Sequence, residues 1–378
     1  MIRKIMAAAT ASLLMLVSVN CYAFSNEKLD LKIGQTITES GAYDTNDALY
    51  LKMKPICQPM GYTITSIDPK SDIRLTNGAD TIRIRPADNT IEKNGHSILV
   101  LDSSTQDTLG AGCMWLDEEL YMRSDILSNL FGLDVQTDET KKTITVHRIL
   151  ENFLTIDTKR IDFSEGLLTA TIQYPVLSGP WSEQSLDNIN EVLKQAANMA
   201  IAQGRQNAKE LENAAATIDP SYSELLQCST YFDYDIKYNQ NGLLSVVLSN
   251  YQYAGGAHGS TIQTAYTFDL NTGCQLTLSD LMKSESGYRK VFDAQIRKEI
   301  DKRIEENLLY EFEVHPFQTL GENPDFYLTD DDIVFYFQQY EYFPYAAGIQ
   351  AFPISYDSIA NLLKPSFNFL YQKQNRIS

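Results

Sequence analysis

The feature that most constrains this chain is a repeat of itself. Gly41 to Leu75, "GAYDTNDALYLKMKPICQPMGYTITSIDPKSDIRL", lies without a gap on Gly112 to Val146, "GCMWLDEELYMRSDILSNLFGLDVQTDETKKTITV", every residue moving by 71 positions. Gly41, Leu49, Tyr50, Gly61, Lys70 and Ile73 recur identically, and most apolar positions match in kind. Two copies of one unit make one small domain, because a single copy cannot bury its own apolar face.

Each copy reads as a short strand, a helix of two or three turns, and a hairpin. In the second copy Ile126, Leu127, Leu130 and Phe131 form a helical face, and Gly132 supplies the left-handed residue that ends it. Leu133 and Val135 then alternate into a turn, and Ile144 and Val146 return. Between the copies, "TIRIRPADNTIEKNGHSILVL" has the alternation of a hairpin turning at Asn94 and Gly95.

The region after residue 150 has a different grammar. Leu167 to Tyr174 alternates as a strand that Pro175, Gly179 and Pro180 stop, and a helix follows from about Ser185 with Ile189, Val192, Leu193, Ala196 and Ala200 on one face. Three strands come next, carried by Phe232, Tyr234, Ile236 and Tyr238, by Leu244, Val246 and Leu248, and by Tyr266, Phe268 and Leu270; short turns between them predict an antiparallel meander. A second helix carries Phe292, Ile296, Ile300, Ile304 and Leu308 at four-residue spacing, a stripe expected to face the core. A last strand has Ile333, Phe335 and Phe337 on one side and Tyr336, Tyr340 and Tyr342 on the other, and runs into a Pro344 to Gly348 loop. The expected fold class is α+β: a small two-repeat strand-helix-hairpin domain (24–150), then a larger α+β domain (151–378) with an antiparallel sheet packed by two long helices.

The first residues predict export. Arg3 and Lys4 precede the apolar run Ile5 to Val19, and Cys21 and Ala23 stand at the −3 and −1 places of a cleavage site, so 1–23 reads as a signal peptide. Lipid attachment at Cys21 and an uncleaved anchor are the alternatives. No later segment approaches the ~20 apolar residues that cross a bilayer, so the expected location is periplasmic, cell-surface or secreted. Two of the 31 basic residues lie in that leader, which leaves 29 against 49 acidic ones and a net charge of −20. Such a balance disfavours nucleic acid and favours a basic partner. Outside the leader stand Cys57, Cys113, Cys228 and Cys274; an oxidising compartment allows three connectivities, of which pairing within domains, Cys57 with Cys113 and Cys228 with Cys274, is the simplest. None has the C-x-x-C spacing of a zinc site.

The stretch "YAGGAHG", Tyr253 to Gly259, holds three glycines and one of four histidines. A tight connection between strands needs positive φ, which glycine adopts freely, so the stretch reads as a turn in which His258 fixes the loop. A catalytic histidine would need a nucleophile and a carboxylate beside it, and Ser260 and Asp269 qualify by residue type alone. "SNEK" at Ser25 to Lys28 has the S-x-x-K spacing without a helix to hold it, and Asp330 to Asp332 lacks the alternating ligands of a calcium loop. No hydrolase, zinc-protease, phosphate-loop or dinucleotide motif is found, and no cofactor is implied. Tyrosine is abundant after Cys228; exposed tyrosines are favoured at binding surfaces.

The repeat pattern over about 30–148 resembles the copper amine oxidase N-terminal-like domain of exported bacterial envelope proteins. Oxidase chemistry needs N-Y-[DE] and His-x-His, whereas this chain has "NYQ" at Asn250 to Gln252 and isolated histidines, so the resemblance implies a stalk module. "YAGGAHG", "TFDLNTGCQLTLSDLM" and "FYFQQYEYFPYAAG" resemble the RsiV-like ectodomain modules, about 151–265 and 266–370, which also occur beside peptidoglycan deacetylase domains. In the regulator the ectodomain binds lysozyme; only four residues precede the apolar segment here, so no sigma-factor arm is expected. The resemblance carries over Tyr253, Gly255, Gly256, His258, Gly259, Tyr342, Pro344, Tyr345 and Gly348 as binding candidates, with lysozyme or peptidoglycan as partner. Two further readings stay open: a cell-wall-modifying hydrolase with unrecognised carboxylates, and a structural protein that associates with itself.

Overall fold

The computed structural model describes residues 27–45, 48–68, 72–78, 80–99, 110–138, 140–215, 226–312, 315–372 and 376–377. Residues 1–23, read from the sequence as a leader that includes Cys21, and Ser25 lie outside them. The chain divides into two units, residues 1–151 with 375–378, and residues 152–374. Both mix helix and sheet, and the class is α+β.

Unit 1 contains strands β1 (Glu27–Ile33), β2 (Thr36–Asp44) and β3 (Leu49–Lys52), helix α1 (Met53–Cys57), strands β4 (Thr63–Asp68), β5 (Asp72–Thr76), β6 (Thr81–Arg85), β7 (Thr90–Lys93), β8 (His96–Leu99), β9 (Cys113–Leu116) and β10 (Glu119–Arg123), helix α2 (Ser124–Phe131), and strands β11 (Leu133–Asp138) and β12 (Thr143–Ile149). The repeat extends to hydrogen-bond register. Ala42 faces Leu51 and Tyr43 faces Tyr50; 71 residues on, Cys113 faces Met122 and Met114 faces Tyr121. Ile64 faces Leu75 as Val135 faces Val146. Gly61 and Gly132 both take positive φ where the helix hands over to the hairpin. Two sheets result, β11-β12-β1-β2-β3-β10-β9, with a short β22 (Arg376–Ile377) on β12, and β4-β5-β6-β7-β8. Leu31, Leu51, Met53, Ile73, Ile82, Met122, Leu127 and Ile144 fill one core between them. The central hairpin turns at Asn94 and Gly95, both at positive φ as its type requires.

One acid in this unit is out of balance. Glu27 and Asp44 are direct cross-strand partners, and burial, reinforced by Glu27, pushes the Asp44 carboxyl up to about 6 from 3.8. The folded state then holds more protons than the unfolded chain between those values, so stability falls as pH rises through that window. Asp44→Asn removes the loss. It is expected to stabilise the unit by about 1 kcal/mol at pH 7.5, after discounting for solvent screening, and to do little at pH 4; melting curves at the two pH values check this.

Unit 2 begins with β13 (Thr155–Glu165) and β14 (Leu168–Ser178), the long helix α3 (Glu183–Ala215), and then β15 (Cys228–Gln240), β16 (Leu243–Tyr253), β17 (Ser260–Asp269) and β18 (Cys274–Gln275). These form one six-stranded sheet in sequence order. The meander β15-β16-β17 is antiparallel, but β14 and β15 run parallel, because a helix between two strands carries the chain back to start in the same direction. Next come the short helix α4 (Leu278–Leu281), α5 (Tyr288–Glu305), β19 (Phe326–Leu328), β20 (Asp332–Phe337), β21 (Gln350–Ser355), α6 (Tyr356–Ile359) and α7 (Phe369–Gln372); β19, β20 and β21 make a second sheet.

The sequence suggested one antiparallel sheet packed by both long helices; instead each helix covers a different sheet. Leu168, Ile172, Ile189, Leu193, Phe232 and Leu248 fill the layer between α3 and the six-stranded sheet. Val247, Tyr327, Val334 and Tyr336 fill the layer between the sheets, and Phe292, Ile296, Ile300, Phe335 and Phe352 the layer between the second sheet and α5. Three alternations break for identifiable reasons. A bulge between Ile236 and Tyr238 reverses β15, so Tyr238 joins the α5 core while Phe232 and Tyr234 face α3. Tyr336 is buried against the larger sheet instead of reaching solvent. Ile304 is partly exposed and Leu308 is 71% exposed beyond the end of α5. A four-residue step overshoots a helical turn by about 40°, so four steps drift about 160° off the buried face.

The cysteines correct another expectation: among the described residues none forms a disulfide. Cys274 faces Asp269, which faces Leu243, which faces Gln240, twelve residues along β15 from Cys228. That is roughly 40 Å of strand, far beyond disulfide reach. Cys57 and Cys113 are buried in the unit 1 core, and burial lifts the Cys57 thiol to about 12.

Candidate functional site

The glycine stretch links β16 to β17, and its shape comes from Gly255 and Gly256, both at positive φ. The Tyr253 hydroxyl donates to the Gly256 carbonyl at 3.1 Å and closes the turn. Gly259 is needed for another reason: a Cβ there would lie 2.4–2.5 Å from the Tyr251 ring and hydroxyl.

His258 is exposed, its ring stacked on Tyr345 with centroids 3.9 Å apart and planes 21° from parallel. Its Nδ1 lies 2.9 Å from the Gly259 carbonyl, which also accepts the Tyr345 hydroxyl at 2.9 Å. Tyr340, 54% exposed, extends the stack at 5.7 Å from Tyr345. Among the described residues no hydroxyl-imidazole-carboxylate relay is built around His258. Ser260 and Asp269 are opposite ends of one strand, about 30 Å apart. Among the described residues no three His, Cys, Asp or Glu side chains gather as a metal site. Asp330 and Asp331 lie in the β19-β20 turn and Asp332 opens β20; the Gln240 side chain donates to the Asp330 carboxylate and the Tyr356 amide to the Asp331 carbonyl.

Of the sequence candidates, Tyr253, Gly255, Gly256, His258, Gly259 and Tyr345 thus come together. Pro344 and Gly348 bracket the 3₁₀ turn Tyr345–Ala347 that presents Tyr345, so they shape the loop. Tyr342 points away: its ring packs on Phe337 at 4.8 Å and Phe317 at 5.6 Å, and burial raises its phenol above the ordinary range. Proline at the next position but one redirects the chain, so the period-two reading of "YEYFPY" does not survive to Tyr345.

Sequence reasoning missed Tyr251, Gln338 and Gln339. The outer edge of β17 meets β18 only at Phe268 and Asp269. Before that, Gln338 accepts from the Gln263 amide at 3.1 Å and donates to the Gln263 carbonyl at 2.7 Å, while Gln339 accepts from the Thr261 amide at 3.0 Å. These side chains dock the Tyr340–Tyr345 loop against the glycine turn. The polar pair "QQ" closing an apolar strand was the available signal. Burial, with Tyr345 and Tyr253 nearby, lifts the Tyr251 phenol, which stays neutral.

The fold and this surface define an α+β protein with a face of aromatic and amide groups at the glycine turn. Comparison then places its parts. Residues 33–146 match the copper amine oxidase N-terminal domain, residues 139–261 the family described as deacetylase PdaC, and residues 279–357 the DUF3298 family of unknown function. The chain is 22% identical over 210 residues to peptidoglycan-N-acetylmuramic acid deacetylase PdaC of Bacillus subtilis (strain 168), covering 54% of this chain and 41% of that protein. It is 28% identical over 199 residues to anti-sigma-V factor RsiV of the same organism, covering 51% and 64%. The chain thus spans less than two thirds of either relative. A DUF3298 crystal structure from Bacteroides fragilis covers 60% of this chain and 99% of its own at 20% identity and a TM-score of 0.45; one from Pseudomonas aeruginosa covers 56% and 95% at 17% and 0.36. The order of modules is the one the sequence resemblance implies.

Proposed function

We propose that the chain is a non-enzymatic, exported envelope protein that binds a lysozyme-like muramidase or a cell-wall glycan through the face formed by the glycine turn and the Tyr340–Tyr345 loop. The observation that carries this reading is the stack of exposed His258 on half-buried Tyr345, both bonded to Gly259. Stiff aromatic groups on a fixed backbone lose little entropy on binding, which is why such surfaces recognise partners. A net charge of −18 supports capture of a basic protein, and the likeness to a peptidoglycan deacetylase and an anti-sigma factor supports a cell-envelope setting. No helix among the described residues is long and apolar enough to cross a membrane.

Titration with a basic lysozyme and sedimentation with peptidoglycan test the reading. Binding to at least one is expected, and Tyr345→Ala is expected to weaken it about tenfold or more while leaving the melting temperature nearly unchanged. Association with lysozyme should slow as salt rises. No binding to either at low salt defeats the proposal, and release of soluble peptidoglycan fragments would replace it with the hydrolase reading.

A further inference from the structure

The face of the six-stranded sheet turned toward the second sheet is filled unevenly. Val247 and Ala265 pair across β16 and β17 and pack against Tyr327 and Tyr336. Two residues further along the same strands the apolar filling stops, and Asp233, Ser249 and Gln263 stand abreast in register. Gln173, 0% exposed, donates to Asp233 at 3.2 Å. Arg160 reaches Gln173 at 3.3 Å while held by Asp162 at 2.7 and 3.2 Å. In the middle of this row the Ser249 hydroxyl is buried, the residue being 8% exposed, and has no hydrogen-bond partner. A buried hydroxyl that no protein group answers is unfavourable, so its presence amid side chains fixed by other bonds points to a ligand. Beyond it, Tyr231 and Tyr251 face one another, and Tyr251 touches the Gly259 backbone of the turn.

We infer that this row is a saccharide subsite continuous with the aromatic face. Ser249 meets a sugar hydroxyl or acetamido group, Asp233 accepts from a second hydroxyl, and the Tyr231 and Tyr251 rings lie against the apolar side of the sugar. Two carboxylates against one guanidinium leave the row net negative, so an anionic ligand is disfavoured and an uncharged saccharide meets no repulsion. The inference rests on reading the face as a binding surface and narrows the glycan side of it to this row.

The test is calorimetric titration of the full chain with the N-acetylglucosamine tetramer, beside a separate lysozyme titration. Wild type is expected to bind the tetramer, and Ser249→Ala to bind it about tenfold more weakly, with lysozyme binding unchanged and the melting temperature equal or higher. Asp233→Asn should weaken the tetramer as well. Equal affinity of Ser249→Ala and wild type overturns the subsite, as does a fall of several degrees in its melting temperature, which would make the hydroxyl a folding element. Lysozyme binding without tetramer binding overturns the subsite and leaves the face standing; absence of both removes the face too.

Discussion

Phe292→Ala is expected to destabilise unit 2 by about 3–5 kcal/mol, the largest effect of any single change considered, read from the midpoint of denaturant unfolding. Phe292 is fully buried on α5, packs on Phe335 at 4.9 Å and touches Tyr288 on its own helix. Truncation removes the ring's transfer energy and leaves a cavity between α5 and the second sheet that surrounding aromatic rings cannot collapse to fill. Leu308→Ala is the matched control, since its side chain lies in solvent past the helix end, and its effect should stay within about 0.5 kcal/mol. Equal effects of the two changes would mean that α5 is rotated from the packing described.

Gly204→Ala should cost about 2–3 kcal/mol, although alanine improves helix propensity by about 1 kcal/mol. At Gly204 α3 approaches the sheet closely: a Cβ there would lie 2.1 Å from the Thr230 Oγ1 and 3.3 Å from Leu168 Cδ1. Thr230 is buried and donates to the Gln252 side chain at 2.8 Å, and Gln252 donates to the Ala200 carbonyl of α3 at 3.2 Å. The substitution therefore breaks a polar tie between helix and sheet immediately before the glycine turn. Adding Thr230→Ala removes the clashing oxygen, so the double variant should recover most of the loss; thermal melts of the single and double variants measure the difference.

The repeat shows why some of this structure could be read directly. Each copy is built from contacts between residues close in the chain, and two copies with one pattern give two hairpins with one register, Ile64 on Leu75 and Val135 on Val146. The turn at Asn94 and Gly95 and the role of Gly255 and Gly256 follow equally from local backbone chemistry. Longer-range partners were harder. The parallel pairing of β14 with β15 was implicit in strand, long helix, strand, but the meander beyond it suggested a uniformly antiparallel sheet. The bulge at Ile236 and Tyr238 inserts one residue, which no count of alternating side chains reveals. The assignment of Tyr345 to the surface and Tyr342 to the core depends on a proline bend, and Ser249 drew no notice because its meaning lies in what stands beside it across two strands.

The Gln338 amide on the rim of β17 has a further effect. By answering both the N–H and the C=O of Gln263, it fills the position that an incoming chain would need in order to add itself to the sheet. Unguarded rims of this kind let proteins polymerise side by side into fibrils when crowded. Two glutamines thus close this rim to strand addition beside the tyrosine-rich patch.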